Sequence, residues 1–108
     1  MSLSTVMHVG DLEPPFRPVL VNRTTGLPYD LSTATSVKVT CTRGTTSVFS
    51  LRSATGNSAG QVNMAWSGTD TNTVGELHLV VVVEWTAARV QTFPAEPEGN
   101  YFVVNVVA

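Results

Sequence analysis

The sequence predicts an all-β domain, a two-sheet antiparallel β-sandwich of seven or eight short strands. Three observations lead there. Several stretches alternate apolar and polar side chains with the period of two that a strand imposes, and no window carries the 3.6-residue apolar period of an amphipathic helix. Gly, Pro, Asn and Asp punctuate these stretches at the spacing of a sandwich. The chain has 108 residues, one domain's length, enough to bury a core without staples and too short for a second domain.

Residues 1–4 are read as a flexible lead-in or a cloning remnant. Thr5 to Val9 is a short strand, ended by Gly10-Asp11 and Pro14-Pro15, whose missing N–H groups confine it to an edge or a connection. In Phe16 to Asn22, Phe16, Pro18 and Leu20 lie opposite Arg17, Val19 and Val21, and Pro18 again demands an edge or a bulge. Residues 23–28 form a turn through Gly26 and Pro28, and Asp30 to Ala34 is a loop anchored by Leu31 and capped by Asp30. Thr35 to Arg43 alternates cleanly, with Val37, Val39 and Cys41 inward. Gly44-Thr45 turns it into a hairpin with Thr46 to Arg52, where Phe49 and Leu51 share a face. Ser53 to Gly60, a run of small residues, is a loop with no packing demand. Gln61 to Trp66 alternates again, with Val62, Met64 and Trp66 inward.

The chain is organised around its longest apolar strand, which a polar corner, Ser67 to Gly75, precedes. In that strand Leu77, Leu79, Val81, Val83 and Trp85 share one face. Glu76, His78, Val80, Val82 and Glu84 share the other, polar at its ends and apolar in its middle, the pattern of a central strand covered on one side and partly on the other. Ser67, Thr69 and Asp70 can each cap a single helical turn near residues 68–73, and Gly75 can supply the backbone freedom to re-enter the sheet. Strand, short helical turn and strand in that order cross between sheets as the corner before strand F does in immunoglobulin-like domains. Thr86 to Arg89 then leads to a strand at Val90 to Phe93, stopped by Pro94. A polar loop, Ala95 to Asn100, precedes a last strand at Tyr101 to Val107.

Charged residues make up only 13% of the chain, about half the usual share, so much of the surface is free for protein contact. A net charge of −2 and a single lysine leave no basic patch for nucleic acid. The amino terminus lacks the basic and long apolar regions of a signal peptide, and Leu77 to Val83 is far too short to span a bilayer, so neither secretion nor membrane insertion is expected. Cys41, alone and in alternation with Val37 and Val39, reads as a small buried hydrophobe.

The punctuating residues come in a distinctive order. Gly10-Asp11-Leu12-Glu13-Pro14-Pro15 is followed by Gly26-Leu27-Pro28-Tyr29-Asp30-Leu31-Ser32 and by Gly60-Gln61-Val62 leading to Trp66. Thr69-Asp70-Thr71 with Gly75 comes next, and Thr92-Phe93-Pro94 stands before a valine-rich end strand. In this order the chain resembles, over nearly its whole length, the immunoglobulin-like amino-terminal domain of phage baseplate upper proteins. It departs from that pattern at Val74-Gly75 and Leu77, where the family has Pro-Gly and an aromatic residue two positions on. The resemblance implies a non-enzymatic structural protein of a bacteriophage tail or baseplate, made in the host cytoplasm and placed in the virion tail. Such a protein acts by contact with other tail or baseplate proteins in assembly or host adhesion.

The residues themselves give no catalytic, cofactor or metal site. His8, His78 and Cys41 lie in three separate strands without ligand spacing. Glu76 and Glu84 are about 26 Å apart along one strand, against the roughly 5 to 9.5 Å of a glycosidase pair. Asp11, Asp30 and Asp70 fall in turns, where carboxylates accept backbone N–H bonds. Val37, Val39, Trp66, Leu79, Val81, Val83 and Trp85 are assigned to the core. If Trp66 and Trp85 were instead exposed they would form a sugar-stacking platform, and the alternative function is therefore a small carbohydrate-binding sandwich. A sandwich buries one face of each sheet, so the second faces of the central and last strands need a cover. His78, Val80, Val82, Val104 and Val106 are the candidate interface. Either the 95–100 loop covers them or a partner does, the partner being a second copy or another tail protein.

Overall fold

A computed structural model describes residues 4–13, 15–22, 24–93 and 102–108. These form β1 (Ser4–His8), β2 (Ser36–Arg43), β3 (Thr46–Gly56), β4 (Val62–Asn63), β5 (Gly75–Thr86), β6 (Arg89–Phe93) and β7 (Phe102–Val107). They join in one mixed sheet of order β1-β7-β5-β2-β3-β4, curled into a half-barrel, with β6 also paired to β5. Among the described residues there is no helix, hence none long and apolar enough to cross a membrane.

β5 is the hub. One edge pairs along its length with β2, from Arg43 against Leu77 to Ser36 against Glu84. The other edge is shared: β7 takes the first half, ending with Phe102 on Leu79, and β6 takes the second, ending with Phe93 on Val81. Phe93 and Phe102 thus face partners two residues apart on this edge of β5.

Pairing partners share a face, so the inner face collects Val37, Val39 and Cys41 of β2, Leu77 to Trp85 at alternate positions of β5, and Phe102, Val104 and Val106 of β7, all buried. A second layer of extended chain covers it. There Phe16 bridges Met64 and Val19 bridges Gln61, with Phe16, Leu20, Val62, Met64 and Trp66 facing the sheet. Aromatic rings knit the layers edge to face, Phe16 to Phe102 at 5.8 Å and Tyr29 to Phe93 at 5.1 Å between centroids.

Several expectations change. β1 runs parallel to β7, so the sheet is mixed rather than antiparallel, and β1 begins at Ser4, which pairs with Val103. The corner holds no helical turn: Asp70 N bonds Ser67 O and Asn72 N bonds Thr69 O, two separate turns where a helix needs consecutive ones. Phe16 to Asn22 and Gln61 to Trp66 keep the expected inward residues but pair by isolated bridges and a two-residue strand.

Residues 53–60 differ most from expectation. Small side chains there suggest no packing demand, yet β3 continues to Gly56 and both glycines sit against the second layer. A Cβ on Gly56 would lie 2.6 Å from Leu31 Cβ, and one on Gly60 would lie 2.7 Å from Leu20 O. These positions are glycine because the neighbouring chain leaves no room. The expected 95–100 loop lies outside the described residues.

Candidate interaction surface

The outer face of the sheet is built by the same alternation read from the other side. β5 contributes Glu76, His78, Val80, Val82 and Glu84, and β2 places Thr42 beside His78, Thr40 beside Val80, Lys38 beside Val82 and Ser36 beside Glu84. On the far edge β7 sets Val103 beside His78 and Asn105 beside Glu76, and β6 sets Thr92 beside Val82. Val80, Val82, Lys38 and Glu84 are all half-buried, unlike the fully buried residues that alternate with them.

This face corrects the expected interface at two positions. Val104 and Val106 pair with Leu77 and Gly75, so they point into the core and are 1% and 2% exposed. Their neighbours Val103 and Val107 take the outer places. The signal is in the sequence: Asn105 interrupts the valine run, and alternation from that one polar residue places Val103 and Val107 with it on the outer face and turns Val104 and Val106 inward, as the register against β5 has it. Lys38, Thr40 and Val103 belong to the surface as well, and the sequence pattern does not single them out. The outward phase of Thr35 to Arg43 places Lys38 and Thr40 on a surface but carries no sign that they lie beside Val80 and Val82.

The polar residues singled out from the sequence are dispersed. His78 Nε2 and Glu76 Oε1 share a hydrogen bond of 2.6 Å on the outer face. Asp11 sits at the end of β1, where its Oδ2 accepts from His8 N at 3.1 Å and its own N donates to His8 O at 3.0 Å. In a strand the N–H and C=O of one residue point to the same side, so these two bonds close the open edge of β1 at His8, one of the ways a sheet blunts an exposed edge. Asp30 Oδ1 accepts from Ser32 N at 2.9 Å and from the Ser32 hydroxyl, bonds that hold its carboxyl below the usual carboxylate range. Gly75 enters β5 at φ +151° with Arg43 beside it.

Asp70 does more than cap a turn. It is 5% exposed, accepts from Ser67 N at 2.8 Å and is held bidentately by Arg52, whose guanidinium also lies 3.9 Å from the Phe49 ring centre. Cys41 is fully buried, and burial first, then the Asp70 charge, pushes its thiol up to about 12 against the opposing pull of Arg52 and Arg43. Trp66 and Trp85 are 4% and 6% exposed, and Trp85 Nε1 donates to Asp30 O at 3.1 Å, so neither offers a ring face to a sugar. Among the described residues no three of His, Cys, Asp and Glu come close enough to hold a metal ion.

Fold and surface together define a β-sheet domain with one closed, aromatic-rich core and one half-open, weakly charged sheet face. Comparison with family models, with curated proteins and with solved structures gives no match to this chain.

Proposed function

We propose that the chain is an immunoglobulin-like module of a bacteriophage tail or baseplate, non-enzymatic, which works by holding neighbouring proteins through the outer face of its sheet. The observation that carries this is the half-buried Val80–Val82 row flanked by Lys38, Thr40 and Thr92, an outer sheet face with few strongly hydrated groups. The order of turn motifs from Gly10-Asp11 to Thr92-Phe93-Pro94, shared in resemblance with phage baseplate upper proteins, supplies the setting. The extended layer of residues 16–21 and 61–66, bridged antiparallel at Phe16–Met64 and Val19–Gln61, is on this view the reduced second sheet of a sandwich. Mass spectrometry and immunogold labelling of purified virions test the proposal. The expected result is the protein at fixed stoichiometry in the tail, and its absence from the particle would overturn it.

A further inference from the structure

The outer face carries two unused charges of opposite sign. Lys38 stands directly across from Val82, and Glu84 lies two residues further along β5. Both are half-buried, and neither has an ion-pair partner among the described residues, whereas Glu76 on the same face is bonded to His78. Lys38 and Glu84 are diagonal neighbours on this face yet form no ion pair with each other, so each is a partly dehydrated charge that gains from a counter-charge brought up from outside the chain. A partner of a single sign would satisfy only one of them.

A face with both signs beside an apolar row is complementary to itself. Turned about a twofold axis lying in the plane of contact, the valine rows of two copies meet, and Lys38 of each copy comes within reach of Glu84 of the other. The chain's net charge of −2 is too small to oppose this by self-repulsion.

We propose that a second copy of this chain covers the outer face, in an isologous dimer closed by two reciprocal Lys38–Glu84 pairs across the Val80–Val82 row. The inference rests on reading this face as a contact surface, and it stands whether or not that contact is made in a virion. Sedimentation equilibrium of the full chain over a wide concentration range tests it. A dimer is expected, with Lys38→Glu and Glu84→Lys each weakening it at least tenfold and the double swap Lys38→Glu/Glu84→Lys restoring it. Fluorescence of the buried Trp66 and Trp85 checks that each variant is folded. A wild-type chain that stays monomeric at every concentration overturns the dimer, and so does a double swap no tighter than the single ones. Either failure leaves the tail assignment standing, with a different protein on this face, while absence from the virion leaves the dimer standing.

Discussion

The guanidinium of Arg52 grips the buried carboxylate of Asp70 with two hydrogen bonds, tying the middle of β3 to the corner that leads into β5. Ser67 N adds a third bond to the same carboxylate, and Phe49 lies under the guanidinium and meets Trp66 edge to face, with ring centres 6.4 Å apart. Removing either charge strands the other in a site that water reaches poorly. Asp70→Ala and Arg52→Leu should therefore each destabilise the domain by about 2–3 kcal/mol, less than for a fully buried pair because Arg52 keeps part of its hydration. The double variant should cost less than the sum of the two. Urea melts read all three, and single-variant losses below about 0.5 kcal/mol would mean the pair is solvated.

Arg52 reaches Asp70 only because β3 is bulged. Val39 pairs with Arg52 but Cys41 pairs with Phe49, so Ser50 and Leu51 together oppose Thr40. Leu51 takes φ +52°, its side chain turns outward to 53% exposure, and its N–H donates to Thr40 Oγ1 at 3.0 Å. A leucine in that region is strained, a conformation glycine adopts freely. Leu51→Gly should be neutral or stabilising by up to about 1 kcal/mol, where glycine inside a regular strand costs about 0.5–1. Thermal unfolding decides between them, and a clear loss in Tm would show that the bulge is not kept.

That bulge also marks where the sequence stops being legible. Period-two alternation puts Phe49 and Leu51 on one face, and one extra residue replaces Leu51 by Arg52 there, which no side-chain pattern announces. Strand cores are readable wherever polar residues break the apolar run, as in Thr35 to Arg43 and in β5, whose buried residues alternate with half-buried ones. The phase of β7 rests on a single polar residue, Asn105, which puts Val103 and Val107 outward and Val104 and Val106 inward; the valines on both sides hide that signal, and the pairing of Asn105 with Glu76 makes it plain. The parallel pairing of β1 with β7 joins residues from opposite ends of the chain, Ser4 with Val103 through His8 with Val107, and has no local signal. Gly56 and Gly60 look like slack in the sequence yet stand where a Cβ would lie 2.6 Å from Leu31 and 2.7 Å from Leu20, since absence of a side chain reads the same in both cases.

Gly60 should therefore tolerate nothing larger. It sits at φ +78°, its N bonds Asn57 O, its O accepts from Leu20 N, and a Cβ would meet Leu20 O at 2.7 Å, Pro28 Cβ at 2.9 Å and Tyr29 O at 3.1 Å. Two of those three atoms are backbone and cannot step aside. Gly60→Ala is expected to cost on the order of 2–3 kcal/mol, whereas Gly26→Ala, at φ +74° with open space around it, should cost only the conformational term of about 1 kcal/mol. Equal losses at the two positions in denaturant melts would remove the second layer from its place on Gly60.

The two faces of β5 should respond differently to the same change. Val81 is fully buried between layers and Val80 is half-buried on the outer face. Val81→Ala should cost about 2 kcal/mol from lost burial plus a cavity, and Val80→Ala under about 1 kcal/mol in the monomer. A reversed order would put the strand out of phase by one residue.

Cys41 gives a pH signature. Its thiol is fully buried against Val39 and Leu79 on the inner face, and in the folded chain it holds its proton up to about 12, above an ordinary value near 9.0. Between those two values the unfolded chain releases the proton while the folded chain keeps it, so the folded state binds more protons and stability falls as pH rises through that window. Below about pH 9 the effect vanishes, since both states are protonated. Relative to Cys41→Val, in which this titration is absent, the wild-type unfolding free energy should decline above about pH 9 with a slope approaching 1.4 kcal/mol per pH unit. The same burial keeps the thiolate, the reactive form, out of reach, so alkylation of the native protein at about pH 8 should proceed only as fast as the domain opens. Parallel stability curves for the two proteins, or alkylation as rapid as that of a free thiol, would show that Cys41 is open to water and that the β2–β5 face is not closed over it.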